Sequence, residues 1–190
     1  MIVNERLVTY LDSLTWQIPE PMQELEQWAL QKEVPIIRRS MQSLLLFMLR
    51  LRQPKHVLEI GTAVGFSALL MRSELLPDAT LDTIEKVPAR ICDAKENFAK
   101  YPQGDKIRLL EGDAADILAA LVREQKQYDF IFMDAAKAQY IVILPEILRL
   151  LKPGAILITD NVLQEGEIIE PRFGVTRRNR TIYERMREYL

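Results

Sequence analysis

Cysteine and histidine are almost absent from this sequence, and their scarcity excludes several kinds of functional site. The single cysteine, Cys92, rules out an internal disulfide and is typical of a protein kept in a reducing compartment. The single histidine, His56, excludes a multi-histidine metal site and a Ser-His-Asp triad elsewhere in the chain. Because His56 directly precedes a predicted strand, we expect it to be an exposed loop residue and not a catalyst.

The sequence also lacks a strong overall charge and any long apolar run. A net charge of −2 over 190 residues gives no global attraction to nucleic acid or to a membrane. The first ten residues include Asn4, Glu5 and Arg6, where a signal peptide needs an apolar stretch. The longest apolar run, near 141–151, is interrupted by Pro145 and by charged residues. We therefore expect a cytoplasmic protein without a membrane segment.

Positive charge is concentrated near the C-terminus, where the segment 171–190 contains six arginines and two glutamates. Thr176 is a candidate N-cap for a C-terminal helix, which would place Arg177 and Arg178 in the first turn. Positive charge at that end opposes the helix dipole, so these arginines and Arg180 hint at contacts with phosphates. A solvated helix face is the alternative interpretation.

The apolar pattern changes near residue 53. The segment 1–53 has the three- and four-residue spacing of amphipathic helices, whereas 54–190 alternates short β-type runs with helical stretches. The predicted strands are 57–61, 80–85, 107–111, 128–133 and 155–159, and the predicted helices between them are 66–76, 88–100, 114–124 and 139–151. This alternation predicts one α/β domain, 1–190, with a doubly wound parallel sheet. Ligands of such sheets bind beyond the carboxyl ends of the strands.

The first predicted strand ends in a glycine-containing turn. Gly61 allows a sharp turn and a close ligand, and a helix beginning near Gly65 to Ser67 offers free N–H groups to an anion. The spacing G-x-x-x-G counts against a dinucleotide pyrophosphate and suits a smaller anion such as an amino-acid carboxylate. A purely structural turn is an equal alternative at this point.

Acidic residues follow the next two strands. Glu85 ends the second strand, where a carboxylate can accept ribose hydroxyls, although a plain solvated side chain is the alternative. Asp113 follows the third strand and either receives an adenine amino group or caps the next helix. Taken alone, Asp113 is better explained as an N-cap.

The ends of the fourth and fifth strands carry the most informative residues. Asp134 follows one buried run, and Asp160 and Asn161 follow the other, so parallel strands would bring them to one sheet edge. Two carboxylates and an amide oxygen form the hard oxygen set that Mg²⁺ prefers. Lys137 lies three residues beyond Asp134 and would supply a base beside the metal, because a nearby cation lowers an ammonium pKa.

Three segments together resemble a known family. The segments 59–67, 134–140 and 160–162 are similar to the cation-dependent, S-adenosylmethionine-dependent O-methyltransferases, which include the catechol and caffeoyl-CoA enzymes. The resemblance runs from about residue 37 to the C-terminus and implies a Rossmann-like class I methyltransferase fold. The N-terminal helices and the basic segment 177–180 most resemble a bacterial branch that methylates 5-hydroxyuridine in tRNA.

The resemblance implies a role for each matching residue. S-adenosylmethionine would be surrounded by Ile37, Glu59, Gly61, Thr62, Ser67, Glu85, Asp113 and Asp134. Mg²⁺ or Mn²⁺ would be held by Asp134, Asp160 and Asn161, with Lys137 as the base, and a homodimer is expected. The family sheet continues past the fifth strand with two more strands. This sequence reaches Leu190 after a helical stretch, so either the chain is truncated before those last two strands or they are missing.

Two classes of acceptor could bind the expected metal through a pair of adjacent oxygens. Catechols carry adjacent oxygens, and 5-hydroxyuridine offers its 5-hydroxyl and 4-carbonyl to the same metal. The leading hypothesis is Mg²⁺-dependent methylation of 5-hydroxyuridine at the tRNA wobble position, giving 5-methoxyuridine, with Phe66, Tyr140 or Phe173 stacking on the base. The alternative is methylation of a small catechol-like phenol or a caffeoyl-CoA-like substrate. A non-catalytic S-adenosylmethionine or RNA-binding module is disfavoured, since a binder needs neither metal nor base.

Overall fold

The computed structural model describes residues 4–15, 17–171, 174–177 and 179–190. The strands are β1 (His56–Ile60), β2 (Thr80–Glu85), β3 (Ile107–Glu111), β4 (Tyr128–Met133) and β5 (Leu151–Thr159). The α-helices are α1 (Glu5–Leu14), α2 (Glu20–Gln31), α3 (Arg39–Arg52), α4 (Phe66–Glu74), α5 (Pro88–Lys100), α6 (Ala114–Arg123), α7 (Tyr140–Leu150) and α8 (Arg180–Tyr189). Short 3-10 helices cover Gly104–Lys106, Lys137–Gln139 and Gln164–Ile169.

The five strands form one parallel sheet in the order β3-β2-β1-β4-β5. The chain moves outward from β1 to β3 and then crosses back to add β4 on the other side of β1. The order therefore reverses between β1 and β4, and their carboxyl ends flank the crevice where such sheets bind ligands.

Alternate residues of each strand pack into two separate cores. Phe130 and Phe132 of β4 point to the core formed with α2, α3 and α4, whereas Ile131 and Met133 point to the core formed with α6, α7 and α8. This two-residue alternation buries both faces of the sheet, which explains why β1 and β4 are nearly continuous apolar runs.

The predicted α/β fold with a doubly wound parallel sheet is confirmed, and the first four strands lie within one residue of their predicted bounds. The start predicted for β5 is wrong. The strand was predicted to begin at residue 155, but β5 begins at Leu151 and contains Pro153 and Gly154 in an irregular pairing opposite β4. An edge strand tolerates this, because its outer N–H positions need no ladder partner.

The predicted capping role of Thr176 is also wrong. Helix α8 begins at Arg180 with Asn179 at the N-cap position, so Arg177 precedes the helix and does not lie in its first turn. Arg178 and Phe173 lie outside the described residues. His56 is exposed as expected, although it is the first residue of β1 and not part of a loop.

Beyond β5, the described part of the chain contributes no further strand to the sheet, in line with the expected lack of the last two family strands. Instead, α8 packs against α7 and against the two 3-10 helices that follow β4 and β5. Among all the residues that the structure describes, from 4 onwards, no helix has the length and apolar character needed to cross a membrane.

Candidate active site

A cleft of about 390 Å³ lies at the carboxyl ends of β1, β2 and β4, where the strand order reverses. Its volume falls within the range of roughly 300–1,000 Å³ typical of small-molecule sites. Eight of the predicted site residues line it: Ile37, Gly61, Thr62, Ser67, Glu85, Asp134, Lys137 and Asn161. The sequence therefore identified most of the polar lining of this cleft.

The turn after β1 brings the backbone close to the end of β4. Gly61 has a φ of +95°, and a Cβ there would collide with the carbonyl oxygen of Asp134. Only glycine fits such a conformation and approach without strain. Thr62 follows and is only 2% exposed. Its hydroxyl makes no hydrogen bond of good geometry within the described residues. It nevertheless lies close enough to Glu59 to favour the charged form of that carboxylate. A buried hydroxyl lining a cleft is suited to meet a ligand.

Glu59 supports this turn from beneath the cleft. Its carboxylate is fully buried in β1 and accepts hydrogen bonds of 2.5 Å from the hydroxyls of Ser67 in α4 and Thr83 in β2. Burial raises the pKa of Glu59 to about 7, and the hydroxyl hydrogen bonds oppose that rise. Glu59 is not among the cleft-lining residues, so its predicted contact with the cofactor stays a prediction.

The acidic residues after β2 and β3 differ in environment. Glu85 lines the cleft with 6% exposure, and its carboxylate accepts hydrogen bonds from the backbone N–H groups of Ala63, Lys86 and Val87. Asp113 caps α6 by accepting a hydrogen bond from the N–H of Ala115, which lowers its pKa. The structure therefore supports the capping interpretation of Asp113 that the sequence favoured for this residue alone.

A segment between α2 and α3 covers the cleft. Pro35, Ile36 and Ile37 line it from above, and the sequence indicated only Ile37. The buried amide of Gln42 holds this segment, because its Nε2 donates to the Ile37 carbonyl at 3.0 Å and to Glu26 Oε1 at 2.8 Å. The N-terminal helices thus contribute directly to the site.

Polar groups at the ends of β4 and β5 form a connected network. The Nζ of Lys137 donates to Asp134 Oδ1 and to the Tyr140 hydroxyl, both at 2.8 Å. The Tyr140 hydroxyl donates in turn to the carbonyl of Asp160 at 3.2 Å. Tyr140 is fully buried, which raises its phenol pKa and keeps it neutral. Tyr140 was predicted to belong to a motif and was a candidate for stacking on the base, but its full burial disfavours stacking. Nothing in its spacing indicated this bridging position.

The same network suits a divalent cation. The N–H of Asp160 donates to the carbonyl of Met133 at 3.0 Å, so the β4–β5 ladder continues until Asp134 and Asp160 lie side by side. Burial and the nearby negative charge of Asp134 raise the pKa of Asp160. Asn161 adopts a φ of +57°, which asparagine tolerates, and lines the cleft. Two adjacent carboxylates and an amide fit the oxygen donor set of Mg²⁺ or Mn²⁺.

Two further cavities exist. One of about 280 Å³ adjoins the cleft and shares Lys137 and Asn161 with it. The other, of about 410 Å³, lies among the N-terminal helices and has no predicted site residue in its lining. Its two arginines, Arg39 and Arg50, already pair with Glu26 and Glu74. The smaller neighbour is therefore the one that extends the site.

The proposed RNA-binding arginines do not form one described cluster. Arg177 is exposed in the turn before α8. Arg180 is half-buried at the start of α8 and already makes contacts within the chain. Arg178 falls outside the described residues.

Comparison with known proteins assigns the chain to a family. A sequence model of the O-methyltransferase family matches residues 13–189. A catechol O-methyltransferase from Niastella koreensis is 34% identical over 122 residues, which cover 64% of this chain and 55% of that enzyme. The chain spans about half the length of the curated relatives it matches.

Solved structures agree over nearly the whole chain. The methyltransferase PaMTH1 of Podospora anserina, bound to SAH, has a TM-score of 0.82 at 29% identity, with coverage of 97% of this chain and 81% of that one. The O-methyltransferase TomG of Streptomyces achromogenes, involved in tomaymycin synthesis and in complex with SAM, has a TM-score of 0.83 at 28% identity. That match covers 100% of this chain and 87% of TomG.

The buried carboxylate predicts an unusual pH dependence of stability. The pKa of Glu59 rises from 4.5 in the unfolded chain to about 7 in the folded protein, so the folded state keeps a proton that the unfolded chain releases. Its contribution to stability is full below about pH 4.5 and is lost as the pH rises to about 7. Glu59→Gln should remove this loss, about 2–3 kcal/mol in the free energy of unfolding.

Urea unfolding at about pH 5 and about pH 8 measures this difference. The exposed Glu111, on β3, provides the matched control Glu111→Gln, which should keep the pH dependence of the original protein. The same pH dependence in Glu59→Gln and in the original protein would show that Glu59 does not hold a proton in the folded state.

Proposed function

Because this chain belongs to the O-methyltransferase family, we propose that it transfers a methyl group from S-adenosylmethionine to a hydroxyl oxygen with the help of Mg²⁺ or Mn²⁺. One observation carries the proposal. The network of Asp134, Lys137, Asp160 and Asn161 adjoins a cleft whose lining suits a nucleoside with an amino-acid tail. A metal-binding edge and a cofactor cleft in contact are what such a reaction needs.

The cleft residues would bind the cofactor as follows. Glu85 presents a carboxylate held by three backbone N–H groups, ready to accept ribose hydroxyls. Gly61 admits the ligand close to the backbone, and the buried hydroxyl of Thr62 gains a partner. S-adenosylmethionine bound there would supply an electrophilic methyl group, which the acceptor oxygen takes as the carbon–sulfur bond breaks and S-adenosylhomocysteine forms. The chain's contribution is alignment of the two reactants, which lowers the barrier by several kcal/mol.

The sheet edge that carries Asp134, Asp160 and Asn161, the metal edge, would activate the acceptor hydroxyl. Asp134, Asp160 and Asn161 would hold the cation, which would supply Lewis-acid polarisation of the acceptor hydroxyl. Lys137 lies between Asp134 and Tyr140 and lines both the cleft and the adjoining cavity. We assign its Nζ as the atom that takes the proton of the acceptor hydroxyl, at a position beside Asp134 Oδ1 and the Tyr140 hydroxyl.

We further propose that the acceptor is 5-hydroxyuridine in tRNA. The exposed Arg177 in the turn before α8 supports a phosphate-bearing acceptor, and the size of the adjoining cavity, about 280 Å³, supports a single ring. The second candidate is a small catechol-like phenol, favoured by the 34% identity to an enzyme named catechol O-methyltransferase. Both acceptors carry adjacent oxygens that can chelate the same metal.

Metal dependence tests the proposal directly. Asp160→Ala removes one carboxylate ligand without altering a residue that lines the cleft. We expect the methylation rate to fall about a hundredfold or more, while the affinity for S-adenosylhomocysteine, measured by calorimetry without metal, stays nearly unchanged. EDTA should abolish turnover of the original protein, and Mg²⁺ or Mn²⁺ should restore it.

The control variant is Asp78→Ala, which removes an exposed carboxylate paired with Lys55 far from the cleft. It should retain full activity. Undiminished turnover of the original protein in excess chelator would reject the metal-dependent mechanism.

The dependence of tRNA binding on salt separates the two acceptors. If Arg177 contacts a phosphate, Arg177→Ala should weaken tRNA binding and lower the slope of log affinity against log salt by about 0.7–0.9. Methylation of free catechol should not change, because the variant leaves the metal edge intact. Arg123→Ala, at an exposed position ending α6, is the control and should keep the original slope. An unchanged slope in Arg177→Ala would favour the small-phenol acceptor.

A further inference from the structure

The cavity beside the metal edge is lined by four polar residues. Its residues are Lys137 and Asn161 on the inner side, shared with the cofactor cleft, and Gln164 and Glu167 on the outer side. Gln164 and Glu167 belong to the 3-10 helix that follows β5. At about 280 Å³ the cavity is slightly smaller than typical sites for drug-sized ligands, so it has room for one small ring.

Both outer residues are oriented by contacts within the chain. The Nε2 of Gln164 donates to the carbonyl of Asn161 at 2.6 Å, which leaves its Oε1 as the group able to accept a further hydrogen bond. The buried Tyr183 donates its hydroxyl to Oε2 of Glu167, and Asn179 donates to the same hydroxyl. The second oxygen of Glu167 is not used in any hydrogen bond of the described residues. The outer wall therefore presents oxygens that accept hydrogen bonds.

From this arrangement we propose that Gln164 and Glu167 determine acceptor specificity by accepting a hydrogen bond from an N–H or O–H of the acceptor ring. The proposal rests on the proposed function, because that function makes this cavity the acceptor site. It narrows the substrate class to an uncharged ring with two adjacent oxygens and a hydrogen-bond donor beside one of them.

The accepting oxygens of Gln164 and Glu167 distinguish among rings that chelate a metal equally well. A 5-hydroxypyrimidine with carbonyls at positions 2 and 4 carries an imide N–H beside its chelating oxygens, and this N–H can donate a hydrogen bond to Gln164 or Glu167. Catechol has only C–H groups beyond its two hydroxyls, so it leaves the wall oxygens without a donor. A ring bearing a carboxylate would place negative charge against Glu167, which is unfavourable.

Binding to the original protein tests the inference without requiring turnover. The protein, saturated with S-adenosylhomocysteine and Mg²⁺, is titrated by NMR with 5-hydroxyuridine, its N3-methyl derivative and catechol. We expect 5-hydroxyuridine to bind about tenfold more tightly than the N3-methyl derivative, because the methyl group removes the donor. Equal affinity for these two nucleosides, or binding of neither, would overturn the proposal.

Variants identify the wall residues and exclude a steric effect of the methyl group. Gln164→Leu and Glu167→Leu should each weaken the binding of 5-hydroxyuridine about five- to tenfold. Each should change the affinities of the other two probes by less than about twofold. Glu167→Gln keeps an accepting oxygen and should retain most of the affinity. Glu124→Leu, in the exposed turn after α6, is the control and should leave all three affinities unchanged.

If the Leu variants bind all three probes more weakly by the same factor, Gln164 and Glu167 only support the fold of the site. That result would overturn the proposal. The proposed function fails separately. If the nucleoside preference holds but no methyl group is transferred from S-adenosylmethionine, the specificity of the wall stands and the catalytic assignment is wrong.

Discussion

The backbone contact between the ends of β1 and β4 is the constraint on which the site depends. The N–H of Asp134 donates to the Ile60 carbonyl, and the next residue, Gly61, passes so close to Asp134 that no side chain fits between them. This contact joins the turn proposed to bind the cofactor to Asp134, the first proposed metal ligand. The distance between the proposed donor and acceptor sites is thus fixed by the parallel pairing of two buried strands.

The carboxylates on the two sides of this contact differ in how strongly they are buried. Beneath the turn, Glu59 is fully buried among hydroxyls, and burial raises its pKa to about 7. Above it, Asp134 and Asp160 lie side by side, and the Nζ of Lys137 donates a hydrogen bond to Asp134. The Glu59 carboxylate supports the structure of the turn, whereas the pair of Asp134 and Asp160 is the one proposed to share a cation. Residues of the same chemical type therefore have different roles because their solvation differs.

The sequence predicted those features that follow from local pattern and parallel pairing. Buried runs ending in Asp134 and Asp160 indicated one sheet edge, and the structure brings these residues together. Features that depend on three-dimensional contacts were not predictable. The start of β5 was missed because an edge strand tolerates Pro153 and Gly154. The bridging hydroxyl of Tyr140 depends on the first residue of α7 lying beside Asp160, which follows β5. The order of the strands places Thr83 opposite Glu59, a pairing that no spacing in the sequence reveals.

Transfer of a labelled methyl group tests the central claim most directly. The protein is incubated with tRNA containing 5-hydroxyuridine, Mg²⁺ and S-adenosylmethionine carrying a deuterated methyl group, and the nucleosides are then analysed by mass spectrometry. Metal-dependent O-methyl transfer at the described edge predicts deuterated 5-methoxyuridine that disappears when the metal is chelated. Absence of label from the nucleosides, or label that persists in excess chelator, would contradict it.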